Sequence, residues 1–263
     1  MSTTSGDPAG DVRRGEEPRP DPALAFDQPL EAAPTPPSPA GPDVAAVTLD
    51  DVRSHEELSL YIASADRVMD AMGFTEHGFR HANLVAQIAY QVLHRLGFSE
   101  REAILASVAG YLHDVGNALA RDVHGQTGAV MVYHVLRDSV PGHDLMPIVA
   151  AIANHEETEG TAVSPISAAV ILADKSDVHR SRVRRSGQVE RDIHDRVNYA
   201  VEQSFLRVDS DARTVSLELT VDTGISHVMD YFEIFLHRMQ MCRHAAERLD
   251  ARFRLVVNDQ ELA

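Results

Sequence analysis

The sequence predicts a mainly α-helical bundle with a small C-terminal α+β unit and an N-terminal tail outside both. Three observations carry this. Between about residues 54 and 174, apolar residues recur at three- and four-residue spacing in stretches bounded by Gly, Ser or Pro. Beyond about residue 187 the period shortens to two in the runs Phe205 to Val208 and Val215 to Val221. The first 48 residues show neither period and hold ten of the chain's thirteen prolines. Such a segment cannot bury enough apolar surface to offset chain entropy. Residues 1–48 are therefore expected to be a disordered tail, 49–187 the helical domain, and 188–263 a helix with a small antiparallel sheet.

Taken in order, Ser54 to about Met72 reads as the first helix, with Ser54 as cap, Glu57 three residues on, and Leu58, Ile62, Ala65, Val68 and Met69 as its apolar face. Gly73 closes it. Arg80 to Leu96 follows, ending at Gly97, and Ser99 with Glu102 forms a capping box for a helix running through Leu105, Val108 and Leu112. Two more helices are expected at about Gln126 to Ser139 and, with Pro147 near its start, Ile148 to Asn154. Ser164-Pro165 opens another in cap-then-proline order, carrying Ile166, Ala169, Val170 and Ala173. A helix from Val189 to Gln203, a hairpin turning at Asp209 to Arg213, a helix from about Ser226 to Leu249 and a strand from Phe253 to Val257 complete the chain.

The net charge of −16 argues against an extended nucleic-acid surface, since phosphates would be repelled. It leaves room for a small anionic substrate held by local cations. A single cysteine excludes an internal disulfide and fits a reducing compartment. With no signal-type start and no 18-residue apolar run, a cytoplasmic protein without membrane contact is the expectation. Lys175 is the only lysine among 24 basic side chains, and a compact ammonium differs from a guanidinium in a tight site.

Chemistry concentrates where the helices end. The run Gly110 to Asn117 places His113 and Asp114 side by side at the end of an apolar helix. A buried imidazole beside a buried carboxylate must be compensated by hydrogen bonds or a metal ion. His81 lies 32 residues before His113, His124 ten after Asp114, His155 another 31 on, and Asp174 a further 19. Four or five helices thus each bring a ligand-type residue near one end, as in bundles with an interior site. Imidazoles with carboxylates suit one or two divalent transition ions, Fe, Mn, Co, Ni or Zn, better than Mg or Ca.

The ordered set His81, His113-Asp114, His124, His155 and Asp174 resembles the HD-domain superfamily of metal-dependent phosphohydrolases over about residues 55 to 185. The resemblance implies a helical HD fold in which His81, His113, Asp114 and Asp174 bind one ion while His124 and His155 hold a second. Asp114 would bridge the two. His124-Gly-Gln-Thr-Gly128 is similar to the His-Pro-x-x-Gly element of the cyclic-dinucleotide branch, with Gly125 replacing proline, Asn117 standing where lysine is frequent, and no Gly-Tyr-Pro triplet. Val115 to Ala118 also departs from the His-Asp-x-x-Glu-Asp form of guanosine tetraphosphate hydrolases. His77-Gly-Phe-Arg-His-Ala82 resembles the His-Asn-x-x-His-Ala element of cyclic-nucleotide phosphodiesterases, which implies His77 as general acid; the bland reading is a solvated loop histidine.

The expected activity is hydrolysis of a phosphodiester or phosphomonoester, nucleotide-like in kind, by a metal-activated water. Lys175, Arg180 and Arg182 are the candidates for gripping phosphate, with Lys175 also placed in the catalytic group, and Arg184 and Arg185 are read as solvated. Two rivals remain: a diiron oxygenase of the same superfamily and a non-catalytic nucleotide sensor. The C-terminal unit carries no ligand cluster and is expected to support the bundle or a homodimer contact.

Overall fold

The computed structural model describes residues 46–157, 160–184 and 193–262. Nearly all of the expected tail, Arg185, and the expected domain boundary at 187/188 lie outside that set. The folded chain starts before residue 49: Val47 is buried, and its carbonyl accepts a 2.6 Å hydrogen bond from Arg101 Nη1. The order of elements is α1 Leu49–Ser54, α2 Glu56–Ala71, α3 Phe79–Arg95, α4 Glu100–Leu112, α5 His124–Leu136, α6 Gly142–Ala153 and α7 Pro165–Ser176. There follow α8 Ile193–Ala200, β1 Val201–Asp209, β2 Thr214–Val221, α9 Val228–Arg248, β3 Arg252–Val257 and β4 Gln260–Glu261. Short 3-10 turns occupy Val115–Ala118 and Arg180–Arg182. The mainly helical expectation holds.

The first helix differs from the expectation. Its capping box is Thr48 with Asp51, and the chain breaks at His55, whose extended backbone separates α1 from α2. Ser54 instead donates to the Asp51 carbonyl inside α1. The Ser99–Glu102 box does start α4, and Ser164 caps α7 with Pro165 at its first position. Gly73 and Gly97 take φ of +83° and +82°, the left-handed backbone that ends α2 and α3 without a Cβ penalty. Helix α6 begins at Gly142, six residues before the expected Ile148, so Pro147 falls in mid-helix, where it lacks an N–H and costs the helix one internal hydrogen bond. Helix α5 begins at His124, two residues earlier than its apolar period suggests.

Helices α4 and α7 form the centre of the bundle. Every residue of α4 from Leu105 to Leu112 is buried, as is α7 from Ile166 to Ala173. Helices apolar all round belong inside a core. Helix α3 and helix α6 each pack on both of them. At Gly110 an added Cβ would lie 3.2 Å from the Val85 carbonyl, so this glycine sets the close approach of α3 to α4.

The C-terminal sheet is mixed, in the order β1-β2-β3-β4, which corrects the antiparallel expectation. β2 and β3 run parallel because α9 returns the chain across the sheet between them. β3 and β4 close a two-residue hairpin at Asn258 and Asp259, both at positive φ, the backbone a tight hairpin turn demands. The expected helix to Gln203 gives way to β1 at Val201, whose register pairs it with Val221. Helix α9 packs on α7 and β1 touches α3 and α7, so Phe253, Leu217 and Ala245 share one apolar core with the bundle.

Candidate metal centre

The ends of α4, α6 and α7 and the starts of α3 and α5 converge on one buried cluster. His81, His113, His124 and His155 are all buried. Each imidazole has its Nδ1 committed. His81 Nδ1 donates to Asp177 Oδ2 at 2.7 Å, His113 to the Gly110 carbonyl at 2.8 Å, His124 to the Arg121 carbonyl at 2.8 Å, and His155 to the Ile152 carbonyl at 2.7 Å. With its proton on Nδ1, each neutral ring turns the Nε2 lone pair inward, the tautomer a metal ligand needs.

The Nε2 atoms fall into two sets. His81 and His113 Nε2 lie 3.2 Å apart, each within 3.6 Å of Asp114 Oδ2 and Asp174 Oδ1. His124 and His155 Nε2 lie 2.9 Å apart, and 3.4 and 3.8 Å from Asp114 Oδ1. Separations near 3 to 3.5 Å are the edges of a coordination polyhedron whose bonds are about 2.0–2.2 Å. Asp114 therefore offers one oxygen to each set. Its Oδ2 is buried and accepts no hydrogen bond, while Oδ1 takes one from Asn117 Nδ2 at 2.9 Å. Lone pairs facing lone pairs around an orphaned carboxylate oxygen are the arrangement a cation resolves, so the residues fit a divalent ion at each set.

The charges agree. Burial opposes ionisation of His113, but Asp114 and Asp174 outweigh it and hold the ring up to about 10. Burial and the Arg182 guanidinium oppose charge on His81, and Asp114, Asp174 and Asp177 still raise it to about 9. Protons thus stand where positive charge is required. For Asp114 and Asp174 burial works against ionisation and is overcome, in Asp114 chiefly by His113 and in Asp174 by Lys175; both stay well below the usual carboxylate range.

The other sequence candidates land differently. Lys175 is buried, with Nζ 2.7 Å from Asp174 Oδ2 and 3.4 Å from Glu157 Oε1, so it fixes a ligand's outer oxygen and is not free to grip phosphate. His77 packs edge-on against His81, but its Nδ1 donates to the Thr75 carbonyl at 2.6 Å and its Nε2 accepts from Arg182 Nη2 at 3.0 Å. Burial and Arg182 push it well below the usual histidine range. Held neutral, with Nδ1–H spent on a carbonyl and Nε2 on Arg182, the ring offers no free proton in this arrangement, which speaks against the general-acid expectation; packed against His81, it is not a solvated loop residue either. Arg180 pairs with Glu202 at 3.0 Å on the β1 side. Arg182 is buried, holding the carbonyls of Glu76 and Asp177. Arg184 ties the chain to Asp66 at 2.7 Å and to the Phe74 carbonyl, so it is a tether and not a solvated residue.

A cleft of about 370 Å³ opens beside the second donor set, lined by His77, Arg121, Glu156, Arg182, Phe235 and Arg238 among others. The C-terminal elements therefore support the bundle, as expected, and also contribute Phe235 and Arg238 of α9 to this cleft. Arg121 and Arg238 carried no sequence signal, because one sits in a turn and the other 117 residues away on α9. None of the six donor residues lines this cleft, which reaches the second set through Arg121 and Glu156; a larger cavity, about 710 Å³ between α3 and β1, has none of them either. No helix among the described residues is long and apolar enough to cross a membrane.

Comparison with known proteins gives the family. The chain is 23% identical over 159 residues to the uncharacterized protein MJ1020 of Methanocaldococcus jannaschii, an alignment covering 51% of this chain and 61% of that protein. The chain therefore spans less than two thirds of that relative's length. Residues 78–233 match the HD domain family, a stretch that begins just before His81, takes in all six donor residues and runs on into α9. Over more than half of its length, then, this chain carries that family's pattern, and it belongs to the HD domain family.

Proposed function

We propose that the protein is a divalent-metal-dependent phosphohydrolase acting on a small phosphate ester of nucleotide type. The observation that carries this reading is the division of Asp114's two oxygens between two donor sets, with a cleft lined by guanidinium groups adjoining the second. His81, His113, Asp114 and Asp174 would hold one ion, and His124 and His155 with Asp114 a second. Two such ions would supply an activated water and charge neutralisation for the phosphoryl group.

The chain's own residues do the rest. Arg121 is the cation best placed to meet a phosphate oxygen, since it lacks a close carboxylate: it bonds Asn117 Oδ1 at 3.3 Å, lies over the Phe74 ring, and has Glu156 Oε2 no nearer than 3.9 Å. Arg238, held by Glu157 at 2.8 Å, and Arg182 line the same cleft and add positive potential. Phe74 and Phe235 line it too, each with a guanidinium over its ring, Arg121 on Phe74 and Arg238 on Phe235. An anionic ester fits this lining better than the uncharged carbon–hydrogen bond an oxygenase attacks.

The test is metal content by mass spectrometry on protein purified without an affinity tag, for wild type and Asp114→Ala, followed by hydrolysis of bis-p-nitrophenyl phosphate and p-nitrophenyl phosphate. About two equivalents of a transition metal, lost in the variant with the activity, is the expected result. A native protein that binds no metal ends this reading. Metal without hydrolysis, together with oxygen uptake, favours the oxygenase.

A further inference from the structure

We propose that Glu156 is a ligand of the second metal position, completing the set begun by His124, His155 and Asp114. This rests on the two-ion reading above and extends it to a residue outside the six that the sequence singles out.

Glu156 Oε2 lies 3.2 Å from His124 Nε2, the same kind of spacing that separates the other donor atoms. His124 has committed its Nδ1 proton to the Arg121 carbonyl, so the carboxylate faces a lone pair. Two lone pairs at that distance repel unless a cation or a proton lies between them. No strong alternative partner explains the position. The nearest guanidinium nitrogen to Oε2, Arg121 Nη2, is 3.9 Å away, although the Glu156 side chain is only 18% exposed.

The local chain is built to aim it. Helix α6 ends at Ala153, and the next turn is closed by Gly160 N donating to the Glu156 carbonyl at 2.8 Å. A Cβ at Gly160 would lie 2.3 Å from that carbonyl, so only glycine permits the turn. Its two neighbouring acids are thereby separated in role. Glu157 turns away to Lys175 and Arg238, while Glu156 turns toward His124 and lines the cleft.

The composition of the two sets points the same way. The first has two imidazoles and two carboxylate oxygens; the second has two imidazoles and, without Glu156, only the shared oxygen of Asp114. Glu156 makes the sets equal. Three carboxylates against two divalent ions also leave one net positive charge to meet an anionic ester.

The experiment titrates chelator-stripped wild type, Glu156→Gln and Glu156→Asp with Mn²⁺ by equilibrium dialysis, and records electron paramagnetic resonance at two added equivalents. Wild type is expected to bind two ions and show a spin-coupled pair. Glu156→Gln is expected to keep the first ion and weaken the second by about 100-fold or more, since even indirect supports are worth 10–100-fold, and to show an uncoupled Mn²⁺ signal. Equal melting temperatures of the stripped proteins separate this from misfolding. If the Gln form does not fold, the Asp form, shorter by one methylene, carries the same expectation. Wild-type affinity and a coupled signal in the variant would overturn the assignment, as would a wild type that binds a single ion. Two ions in wild type, one in the variant and no ester hydrolysis in either would leave Glu156 a ligand and remove the phosphohydrolase reading alone.

Discussion

Asp177 offers the sharpest test of how the first donor set is held. Its Oδ2 accepts from His81 Nδ1 at 2.7 Å and from Arg80 Nη2 at 2.8 Å, and lies 3.6 Å from Arg182 Nε. Its side chain is 2% exposed and that of Arg182 5%, whereas Arg80 reaches solvent. We predict that Asp177→Ala has two separable effects. Losing the acceptor frees the His81 ring, and such supports are worth about 10–100-fold in metal affinity, roughly 1.4–2.8 kcal/mol. Losing the charge strands Arg182, a buried cation, at about 3–5 kcal/mol, with little added for solvent-screened Arg80. For a folded unit of this size that stability loss corresponds to a fall of roughly 6–20 °C in Tm. Asp177→Asn keeps an acceptor oxygen and discards only the charge, so it should lose much of the stability but little of the affinity. Calorimetric titration with Mn²⁺ and thermal unfolding of stripped protein read the two effects apart. Unchanged affinity for the first ion in Asp177→Ala would refute the claim that this hydrogen bond positions His81.

Three further outcomes are expected. In metal-free protein His81 and His113 sit at about 9 and about 10, above an unfolded value of 6.5, so their contribution to stability is complete below pH 6.5 and is lost as pH rises toward those values. Stripped protein should therefore melt lower at pH 8.5 than at pH 6.5, while the rise in Tm on adding metal grows over that interval because protons no longer compete; a metal increment that shrinks with pH would contradict the ligand assignment. Gly116→Ala would put a Cβ 1.9 Å from the His124 carbonyl and 2.6 Å from Gly128 N, both backbone, so α5 must shift. The second ion should be lost with about 1–3 kcal/mol of stability, measured by dialysis and melting. Arg121→Ala should lower kcat/KM for a phosphate ester about tenfold to a hundredfold, a charge-assisted hydrogen bond being worth roughly 1.5–3 kcal/mol, with Tm nearly unchanged; an intact kcat/KM would remove Arg121 from the substrate grip.

The helices that carry donor residues were legible because their apolar faces end at those residues, and Ser99 with Glu102 and Ser164 with Pro165 marked two starts by local chemistry alone. The misreadings all depend on tertiary partners. Thr48 caps α1 inside a segment whose composition resembles a tail, and Val47 joins the core with its carbonyl held by Arg101, 54 residues away. β3 aligns with β2 in parallel because α9 lies across the sheet, which the two-residue period of either strand cannot show. Lys175 looked like a substrate group by its rarity and proximity to Asp174, yet Glu157 and Asp174 enclose it. Arg121 and Arg238 meet only in the folded chain, so no motif connects them.

One physical link explains why ligand-type residues sit at helix ends. The last carbonyls of a helix lack intrahelical donors and must find partners elsewhere. His113, just past α4, donates its Nδ1–H to the carbonyl of Gly110, and His155, two residues past α6, donates to that of Ile152. The same bond satisfies the orphaned carbonyl, locks the ring in the Nδ1–H form and turns Nε2 toward the cluster. His124 repeats the pattern on the Arg121 carbonyl at the turn before α5. His81 lies inside the first turn of α3, where carbonyls are already taken by the following turn, and it alone relies on a carboxylate, Asp177. Holding a backbone carbonyl and presenting Nε2 are thus one contact in three of the four histidines, two of them capping a helix end, and the fourth needs a dedicated side chain. That asymmetry is why Asp177 should be the most sensitive supporting residue, and why the first ion should respond to its removal while the second does not.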